Sequence, residues 1–330
     1  MNTSAVLEAC RSLRILVIGD VMLDHYIWGE VNRISPEAPV PVLHVMRESH
    51  TAGGAANVAL NLASLGATAS LIGTIGDDEA GTTLARILEA TAIDFSRCNI
   101  DPAVATIVKT RVIARTQQLC RIDRETTRHG YALEARANLD AMLECAVAET
   151  DAVIVSDYAK GVVTQALMDR LIALADARGL LLAVDPKPSH HLSLRGVGLI
   201  TPNRHEALEL AGLPEPGPGE AYPLEAICRS IHAAFAPKLL VITLGADGMA
   251  LSRAGKVEHI LATAARKVFD VSGAGDTVIA TLTAALASGA SAVEAASLAN
   301  RAAGVVVSKM GTATATPEEI LSPLQPEFSA

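Results

Sequence analysis

Six short aliphatic runs, rich in Val, Ile and Leu, recur through the chain, and most of them end in Asp, Asn or Gly. A short apolar run without polar alternation is typical of a strand that is buried on both faces, as in a parallel sheet. The predicted strands cover residues 14–20, 67–76, 151–158, 180–187, 197–203 and 239–245. Helical patterns lie between them at 55–66, 79–90, 133–148, 164–177, 204–211 and 222–235. Strands that alternate with helices predict an α/β fold with a mostly parallel central sheet and helices on both of its faces.

Two segments interrupt this rhythm. Residues 25–47 and 104–124 alternate between apolar and polar positions, with no helical pattern inside either segment. They predict antiparallel strands outside the main sheet, which would form a small β lid over its carboxyl edge. Ligands of open α/β sheets bind at that edge. One face of such a lid would be exposed, and self-pairing into a homodimer would cover it.

The composition narrows the class of protein. Of the 330 residues 50% are apolar and 19% are charged, so a large core can be buried. Aromatic residues make up only 3% and the formal net charge is −9. Few stacking side chains and an acidic surface argue against nucleic-acid binding and against an anionic membrane surface. A local basic pocket for a phosphorylated ligand remains compatible with that charge.

The cysteines and the amino-terminal sequence indicate the cellular compartment in which the protein is expected. The five cysteines form no close pair and no metal-binding spacing, as is typical of reduced core thiols in the cytoplasm. The first residues show no basic stretch followed by an apolar run, so no signal peptide is expected. No stretch of about 20 residues is free of charges and helix breakers, so no membrane span is expected. We therefore expect a cytoplasmic protein that forms a single domain over residues 1–330.

Several predicted strands end in polar residues, namely Asp20, Asp157, Asp185 and Asn203. Any one of them could simply begin a turn. Because the carboxyl ends of parallel strands share one edge of a sheet, four such residues together indicate a ligand crevice there.

The stretch 270–280 carries the strongest local signal. The chain has neither the GxxxxGK[ST] pattern nor GxGxxG, so a nucleotide would have to be held in another way. Gly273, Ala274 and Gly275 open a helical pattern, and their main-chain amides could approach an anion at the positive end of the helix. Asp276 would then lie in the first turn, as a base or as an N-cap. Ser272 and Thr277 could cap the helix instead.

Two further motifs also allow two interpretations. Asn203 and Glu206 could form a capping box at a helix start, or bind Mg²⁺ through water. Gly53 and Gly54 could permit close helix packing, or could bind a ligand through their amides, with the Asn57 side chain beside them binding hydroxyl groups.

The motifs taken together resemble the ribokinase-like (PfkB) sugar kinases. The resemblance rests on DVSGAGDT (270–277), GGAANVALNLASLG (53–66), TPNRHE (201–206) and TLGADG (243–248). It implies a ribokinase-like three-layer sandwich with a small β lid. Residues 19–42, 156–163 and 185–188 further resemble the heptose-7-phosphate kinases of ADP-heptose synthesis, and a chain of this length is expected to correspond to the kinase half of that bifunctional protein. DPKP at 185–188 departs from the DPKG of many relatives, which should alter a loop and not the chemistry.

The resemblance implies transfer of the ATP γ-phosphoryl group to the anomeric hydroxyl of the heptose 7-phosphate. Asp276 would accept the proton, and the 273–275 amides would stabilise the transferred group. It implies hydrated Mg²⁺ at Asn203 and Glu206, and a monovalent cation such as K⁺ near Asp270 and Ser272.

It also assigns the binding residues. The nucleotide candidates are Asn203, Arg204, His205, Glu206, Gly245, Asp247, Gly248, Asn300, Ala303 and Gly304. The candidates for the sugar are Asp20, Asp24, Gly53, Gly54, Asn57 and Asp157. Those for its 7-phosphate are Arg33, Lys160, Lys187, Arg115 and Arg121. Two alternatives stay open, namely a ribokinase-like kinase for another sugar or sugar phosphate, and a non-catalytic sugar-nucleotide sensor.

Overall fold

A computed structural model describes residues 2–265 and 268–322 of the chain. The strands are β1 (Arg14–Gly19), β2 (Val21–Ile34), β3 (Pro41–Gly54), β4 (Thr68–Ile72), β5 (Thr74–Gly76), β6 (Asn99–Asp101), β7 (Ile107–Ala114), β8 (Gln117–Arg124), β9 (Ala152–Ser156), β10 (Leu181–Asp185), β11 (Leu199–Ile200), β12 (Leu239–Thr243), β13 (Met249–Arg253) and β14 (Lys256–Leu261).

The helices are α1 (Thr3–Cys10), α2 (Ala55–Ser64), α3 (Glu79–Ala90), α4 (Leu139–Ala148), α5 (Gln165–Arg178), α6 (Arg204–Ala211), α7 (Leu224–Phe235), α8 (Ala274–Ala287), α9 (Ala292–Val306) and α10 (Pro317–Leu321). Short 3-10 turns cover Arg128–Tyr131, Leu133–Ala135, Pro188–His190 and Gly245–Asp247. Within the described ranges, no helix has both the length and the apolar character needed to cross a membrane.

The main sheet has eight strands in the order β14-β13-β12-β11-β10-β9-β1-β4. The six strands from β12 to β4 are parallel, and β13 and β14 add an antiparallel edge. Alternate side chains of β1 belong to different halves of the core: Val17 is in the buried cluster that includes residues of α2, α8 and α9, whereas Leu16 is in the cluster that includes residues of α4, α5 and α7. This burial on both faces explains the continuous apolar runs. It confirms the α/β prediction of a mostly parallel sheet between two helical layers.

Several predicted elements differ in their bounds, and the strand predicted at 197–203 is reduced to Leu199–Ile200. The strand predicted at 67–76 divides, because β5 leaves the main sheet and pairs with β6. Gly73 marks the break, where a Cβ atom would lie 2.4 Å from Val21 Cγ2. The helix predicted at 133–148 begins only at Leu139, since residue Asn138 adopts a left-handed conformation with φ 62°.

The lid is a separate four-stranded sheet in the order β3-β2-β7-β8. The outer pairs β2/β3 and β7/β8 are antiparallel as expected, but the central pair β2/β7 is parallel. The expectation of purely antiparallel strands was therefore wrong. Both β2 and β7 leave the body of the protein in the same direction, since the chain passes through α2 and α3 between them. The first lid strand starts directly after Asp20, so the base of the lid lies at the carboxyl edge of the main sheet.

Candidate active site

The carboxyl edge of the main sheet collects the polar strand ends. Asp20 follows β1, Asp157 follows β9 and Asp185 ends β10, and these three strands are neighbours. Helix α8 packs its first turns against the same edge, with the Gly275 position close to the Asp185 carboxylate. The structure therefore brings the 273–276 stretch and the strand-end carboxylates into one region.

Asp276 lies in the first turn of α8 and is buried. The Tyr158 hydroxyl donates to Asp276 Oδ1 over 2.8 Å, and Asn57 Nδ2 donates to Asp276 Oδ2 over 2.7 Å. Neither carboxylate oxygen caps the helix. The residue before the helix is Gly273 at φ 77°. The N-cap interpretation of Asp276 is thus not what the structure contains, and neither Ser272 nor Thr277 takes that place. Within the described residues no side chain caps α8, and the Ala274 amide donates to the Val271 carbonyl oxygen over 3.2 Å.

The environment of Asp276 makes it a stronger base than an ordinary carboxylate. Burial raises its pKa to about 6, against the hydrogen bonds from Asn57 and Tyr158, which lower it. The nearby charge of Asp24 raises the pKa further and that of Lys109 lowers it. Such a group is still ionised at neutral pH, and it accepts a proton more readily than an exposed carboxylate.

Helix α2 supports this arrangement through a chain of buried amides. Asn61 Nδ2 donates to the Asn57 side-chain and main-chain oxygens, and Thr277 Oγ1 donates to Asn61 Oδ1 over 2.8 Å. Asn57, expected to bind a ligand hydroxyl, uses its amide group on Asp276 instead. Sequence reasoning found the residue and missed its partner.

The glycine pair before α2 is explained by close packing. A Cβ atom at Gly53 would lie 2.6 Å from Asp24 Oδ2, and one at Gly54 would lie 2.3 Å from the Asp20 carbonyl oxygen. Gly54 also has φ 58°. The packing interpretation therefore accounts for both glycines, and their binding of a sugar stays a prediction.

Asp20 and Asp24 have different surroundings. Both Asp20 oxygens accept main-chain N–H groups, from Tyr158, Lys160 and Val162, at 2.8–3.0 Å. This fully buried carboxylate holds the loop after β9, rather than facing a ligand as expected. Asp24 pairs with Arg111 over 2.5 Å and accepts a hydrogen bond from Thr312 Oγ1 over 3.0 Å.

The Asn203–Glu206 motif forms the capping box. Asn203 Oδ1 accepts from the amides of His205 and Glu206, while Glu206 Oε2 accepts from the Asn203 amide. The other Glu206 oxygen, Oε1, lies 3.0 Å from Lys187 Nζ. The capping interpretation is therefore present, and it leaves one carboxylate oxygen for other partners.

Glu206 and Asn203 also line a cavity of about 170 Å³ together with Asp157, Asp185 and Gly275. Burial and the charges of Glu206 and Asp276 hold the pKa of Asp185 well above its ordinary value. Burial also raises the pKa of Asp157 to about 6, although its Ala159 amide bond and the neighbouring His190 lower it. Crowded carboxylates with one ammonium fit a hydrated Mg²⁺ ion, which prefers oxygen ligands and keeps its waters. Among the described residues, no cluster of three or more His, Cys, Asp or Glu is arranged to hold a metal directly.

A second, larger cavity of about 390 Å³ lies beside the start of α8. Its walls are mainly apolar, and they include Gly245, Gly248, Asn300, Ala303, Gly304 and Gly275. The Asn300 side chain bonds the main chain at 262 and 264, so it shapes this wall. A planar apolar base fits such a cavity. Five of the nucleotide candidates thus share one pocket.

Asn203 and Glu206 line the smaller cavity instead, and the three remaining nucleotide candidates line neither cavity. Arg204 pairs with the exposed Asp247 over 2.9 Å, and the exposed His205 pairs with Glu215. The 3-10 turn Gly245–Asp247 directs the Asp247 side chain outward. A role for these three side chains in holding a nucleotide has no support in their present contacts.

The candidate phosphate cations are dispersed. Lys160 pairs with Glu125 over 2.5 Å, and Arg121 makes two bonds to Asp123. Arg33 is exposed near the end of β2, and Arg115 lies in the turn between β7 and β8 with φ 54°. These last two lie on the outer part of the lid, away from Asp276.

Sequence reasoning missed two cations that lie closer. Lys109 and Arg111 are on β7, opposite Asp24 and Tyr26 of β2. The Lys109 ammonium lies 4.8 Å from the centre of the Tyr158 ring. Alternation along 104–124 places both cations on one face, but nothing in the sequence reveals the pairing of β7 with β2.

The candidate site for a monovalent cation joins two loops. Asp270 Oδ1 accepts from the Ser272 amide over 2.9 Å, and Asp270 Oδ2 accepts from the Gly311 amide over 3.1 Å. The Asp270 side chain therefore fixes the loop that precedes α8. Oxygen atoms of such loops are suitable ligands for K⁺, and this role stays a prediction.

The architecture is the ribokinase-like α/β fold, with a large mostly parallel sheet and a small sheet that forms the lid. A family model described as pfkB family carbohydrate kinase matches residues 12–319, and the chain belongs to that family. It is thus a carbohydrate kinase, which transfers a phosphoryl group to an alcohol.

Named relatives and solved structures agree with that family. The chain is 44% identical over 314 residues to "Bifunctional protein HldE" of Desulfatibacillum aliphaticivorans, a match that covers 95% of this chain and 63% of the relative. It is 43% identical to the HldE protein of Geobacter metallireducens, covering 97% of the chain and 64% of the relative. The chain therefore spans less than two thirds of the length of these relatives.

Among solved structures, a putative ribokinase from Agrobacterium tumefaciens matches with a TM-score of 0.74 and 24% identity, over 94% of this chain and 96% of that one. Phosphofructokinase-2 from Escherichia coli matches with a TM-score of 0.71 and 20% identity, over 94% and 97%. The resemblance to ribokinase-like kinases is confirmed at the level of family and fold.

Proposed function

We propose that this chain uses MgATP to phosphorylate D-glycero-β-D-manno-heptose 7-phosphate at its C1 hydroxyl, giving the 1,7-bisphosphate for ADP-heptose and lipopolysaccharide inner-core synthesis in the cytoplasm. Three motif segments, 19–42, 156–163 and 185–188, support the heptose substrate through their resemblance to heptose-7-phosphate kinases. The HldE relatives, whose matches cover 95% and 97% of the chain, support the same choice.

The observation that carries the proposal is a group of lid cations beside the base. Lys109 is partly buried, and it makes no salt bridge within the described part of the chain. Desolvation lowers its pKa, and the charges of Lys160, Arg111 and Arg121 lower it further, although Asp24 opposes them. Lys160, Arg121 and Arg111 already pair with Glu125, Asp123 and Asp24. Among these four cations of the described chain, Lys109 alone has no salt bridge, and its partly desolvated charge is costly unless an anion joins it. A phosphate at the far end of the sugar would provide that anion.

The chemistry follows from the positions of the side chains. Asp276 accepts the proton of the C1 hydroxyl as the oxygen attacks the phosphorus atom. The Gly275 amide at the start of α8 would stabilise charge on the transferred group. The Ala274 amide, which donates to the Val271 carbonyl oxygen over 3.2 Å, would have to exchange that partner to do the same. Asn203 and Glu206 would hold Mg²⁺ through water, and that ion supplies charge neutralisation at the phosphates when bound. The apolar cavity at Gly304 would accept the adenine.

The test is an ADP-release assay over a panel of acceptors. We expect turnover with heptose 7-phosphate and little with unphosphorylated heptose, ribose or fructose 1-phosphate. Lys109→Gln and Lys160→Ala should raise the KM for the sugar phosphate at least about tenfold, since a bond to a charged group contributes on the order of 1.5–3 kcal/mol. The KM for ATP should change little.

Lys238→Gln is the matched control, because Lys238 is exposed on the segment before β12. Equal kcat/KM for heptose and its 7-phosphate would contradict the phosphate site. Efficient turnover of another sugar would favour a different ribokinase-like kinase, and binding without ADP release would favour the sensor.

We also propose a homodimer formed through the lid. The lid exposes several large apolar side chains, namely Val45, Met46, Leu119 and Ile122. A second copy that packs on this sheet would remove them from water. Light scattering should give twice the chain mass for the wild type and a monomer for Ile122→Glu. Ile260→Glu, at an equally exposed position on β14, should leave the mass unchanged; a monomeric wild type would refute the proposal.

A further inference from the structure

Tyr158 has no role in the sequence interpretation, yet it touches the base directly. It lies two residues after the end of β9, and its hydroxyl is 2.8 Å from Asp276 Oδ1. The Lys109 ammonium lies over its ring. The side chain thus stands between the proposed base and the lid cations.

The loop that carries Tyr158 is held from below by Asp20. The three main-chain amides of residues 158, 160 and 162 all donate to the Asp20 carboxylate. Asp157 Oδ1 accepts the Ala159 amide over 2.8 Å, and Ala159 has φ 54°, a conformation that needs such support. These bonds fix the main chain of Tyr158, and therefore the point from which its side chain reaches Asp276.

We propose that Tyr158 is a positioning residue for Asp276, which with Asn57 holds the carboxylate in one orientation so that a free lone pair faces the sugar hydroxyl. Asp20 contributes indirectly, because it fixes the loop that carries Tyr158. This inference rests on the carbohydrate kinase activity of the family and on Asp276 as the base. It does not depend on which sugar is the acceptor.

The proton balance leaves Tyr158 unchanged through the reaction. As the bond from the sugar oxygen to phosphorus forms, the sugar O–H bond breaks and its proton moves to an Asp276 oxygen. The bond from the γ-phosphorus to the leaving oxygen of ATP breaks at the same time. Tyr158 only donates its hydrogen bond. Burial and the charges of Asp276 and Asp185 hold the pKa of Tyr158 well above its ordinary value, so its hydroxyl stays protonated.

The test is the pH dependence of kcat for Tyr158→Phe, which keeps the ring beneath Lys109. A hydrogen bond to the charged form of a carboxylate lowers its pKa. Its removal should therefore move the acid limb of kcat upward by roughly one pH unit. At pH 7 this shift alone should lower kcat about twofold, and the lost orientation of the carboxylate should lower kcat further at every pH. The KM for ATP should stay the same. Asp24, Asp185 and Lys109 also face Asp276 and are retained, so the shift reports the lost hydroxyl.

A second variant should move the acid limb of kcat in the opposite direction. Incorporation of 3-fluorotyrosine at position 158 makes the hydroxyl a stronger donor, and the acid limb should move to lower pH. Tyr222→Phe is the control, since the Tyr222 hydroxyl donates to the Arg204 carbonyl; its acid limb should match the wild type.

A measurement without turnover separates this inference from the proposed function. The carboxyl carbon of Asp276, assigned by comparison with Asp276→Asn, can be titrated by NMR in the ligand-free protein. We expect its pKa to be higher in Tyr158→Phe than in the wild type. An equal pKa together with an unchanged acid limb would overturn the role of Tyr158. A wild type that phosphorylates no heptose phosphate would overturn only the proposed substrate.

Discussion

Replacement of Asp276 by asparagine should abolish turnover. It should also remove the cost in folding free energy that the buried, ionised carboxylate imposes above pH 6. The carboxylate is buried, and its pKa is about 6 in the folded chain against an ordinary value of 3.8. A group with a raised native pKa stabilises the fold when protonated, and this contribution is lost as pH rises through 6. At pH 8 the wild type therefore bears the full cost of a buried charge, whereas the Asp276→Asn variant has no charge at this position.

The magnitude follows from the two pKa values. Their difference of about 2 units corresponds to about 3 kcal/mol at roughly 1.4 kcal/mol per unit. At pH 4.5 the wild type has already lost about 1 kcal/mol of this stability, since the carboxyl is mostly ionised in the unfolded chain and protonated in the native one. The free energy of unfolding of the variant minus that of the wild type should thus rise by about 2 kcal/mol from pH 4.5 to pH 8.

The asparagine variant also has a cost in stability that is the same at every pH, and this cost does not affect the expected change between pH 4.5 and pH 8. In the variant, an amide NH₂ group can face Asn57 Nδ2, which now donates to Asp276 Oδ2. Two facing donors cost on the order of 1–3 kcal/mol at every pH. The variant can therefore be less stable than the wild type in absolute terms, and only the change with pH reports the carboxylate.

The assay is urea unfolding of both proteins at the two pH values and at matched ionic strength. Asp140→Asn serves as the control, because its carboxylate is exposed on α4. In parallel, kcat should fall on the order of a hundred- to ten-thousand-fold, the usual contribution of a general base. A stability difference that is the same at both pH values would refute the raised pKa. Near-normal kinase activity would refute the base assignment.

Three further changes test separate parts of the site. Gly273→Ala places a Cβ atom 2.7 Å from Asn57 Nδ2 at φ 77°, so kcat should fall while nucleotide binding, measured by calorimetry, survives. Gly304→Ala brings a methyl group within 3.2 Å of the main chain at 264–265, so the KM for ATP should rise about fivefold at saturating sugar. Lys187→Ala removes a candidate cation for the 7-phosphate and should raise the KM for the sugar phosphate more than that for ATP. An unchanged sugar KM would remove Lys187 from the phosphate site.

The features that could be predicted from sequence are those with a local or periodic signal. The continuous apolar runs gave the parallel strands because burial on both faces removes alternation. Polar residues at strand ends then located the crevice, since parallel strands share one edge. The glycines before Asp276 marked the uncapped start of α8, where a left-handed Gly273 is needed. Each of these follows from a few neighbouring residues.

The features that were missed depend on pairing between distant segments. The parallel alignment of β2 with β7 sets Lys109 opposite Asp24, and no local pattern encodes that register. Tyr158 and Asp276 are 118 positions apart, and they meet because β9 ends and α8 begins at the same edge of the sheet. Asp20 was correctly placed at this edge, but its bonds to a loop 140 positions away made it an anchor instead of a sugar ligand.

The carboxyl edge of the main sheet explains why the site lowers the stability of the fold and why it can bind cations and protons. Burial raises the pKa values of Asp20, Asp157, Asp185 and Asp276 together, because the parallel sheet delivers all four carboxylates to one crowded and poorly hydrated region. Main-chain amides donate three hydrogen bonds to Asp20. Among the described residues, Asp276 receives two donors and Asp185 one long hydrogen bond of 3.4 Å. The carboxylates with the fewest donors are therefore those that gain most from a metal cation or a proton. Ligand binding and proton transfer should accordingly act on these groups, and the anchored Asp20 should keep its role in the scaffold.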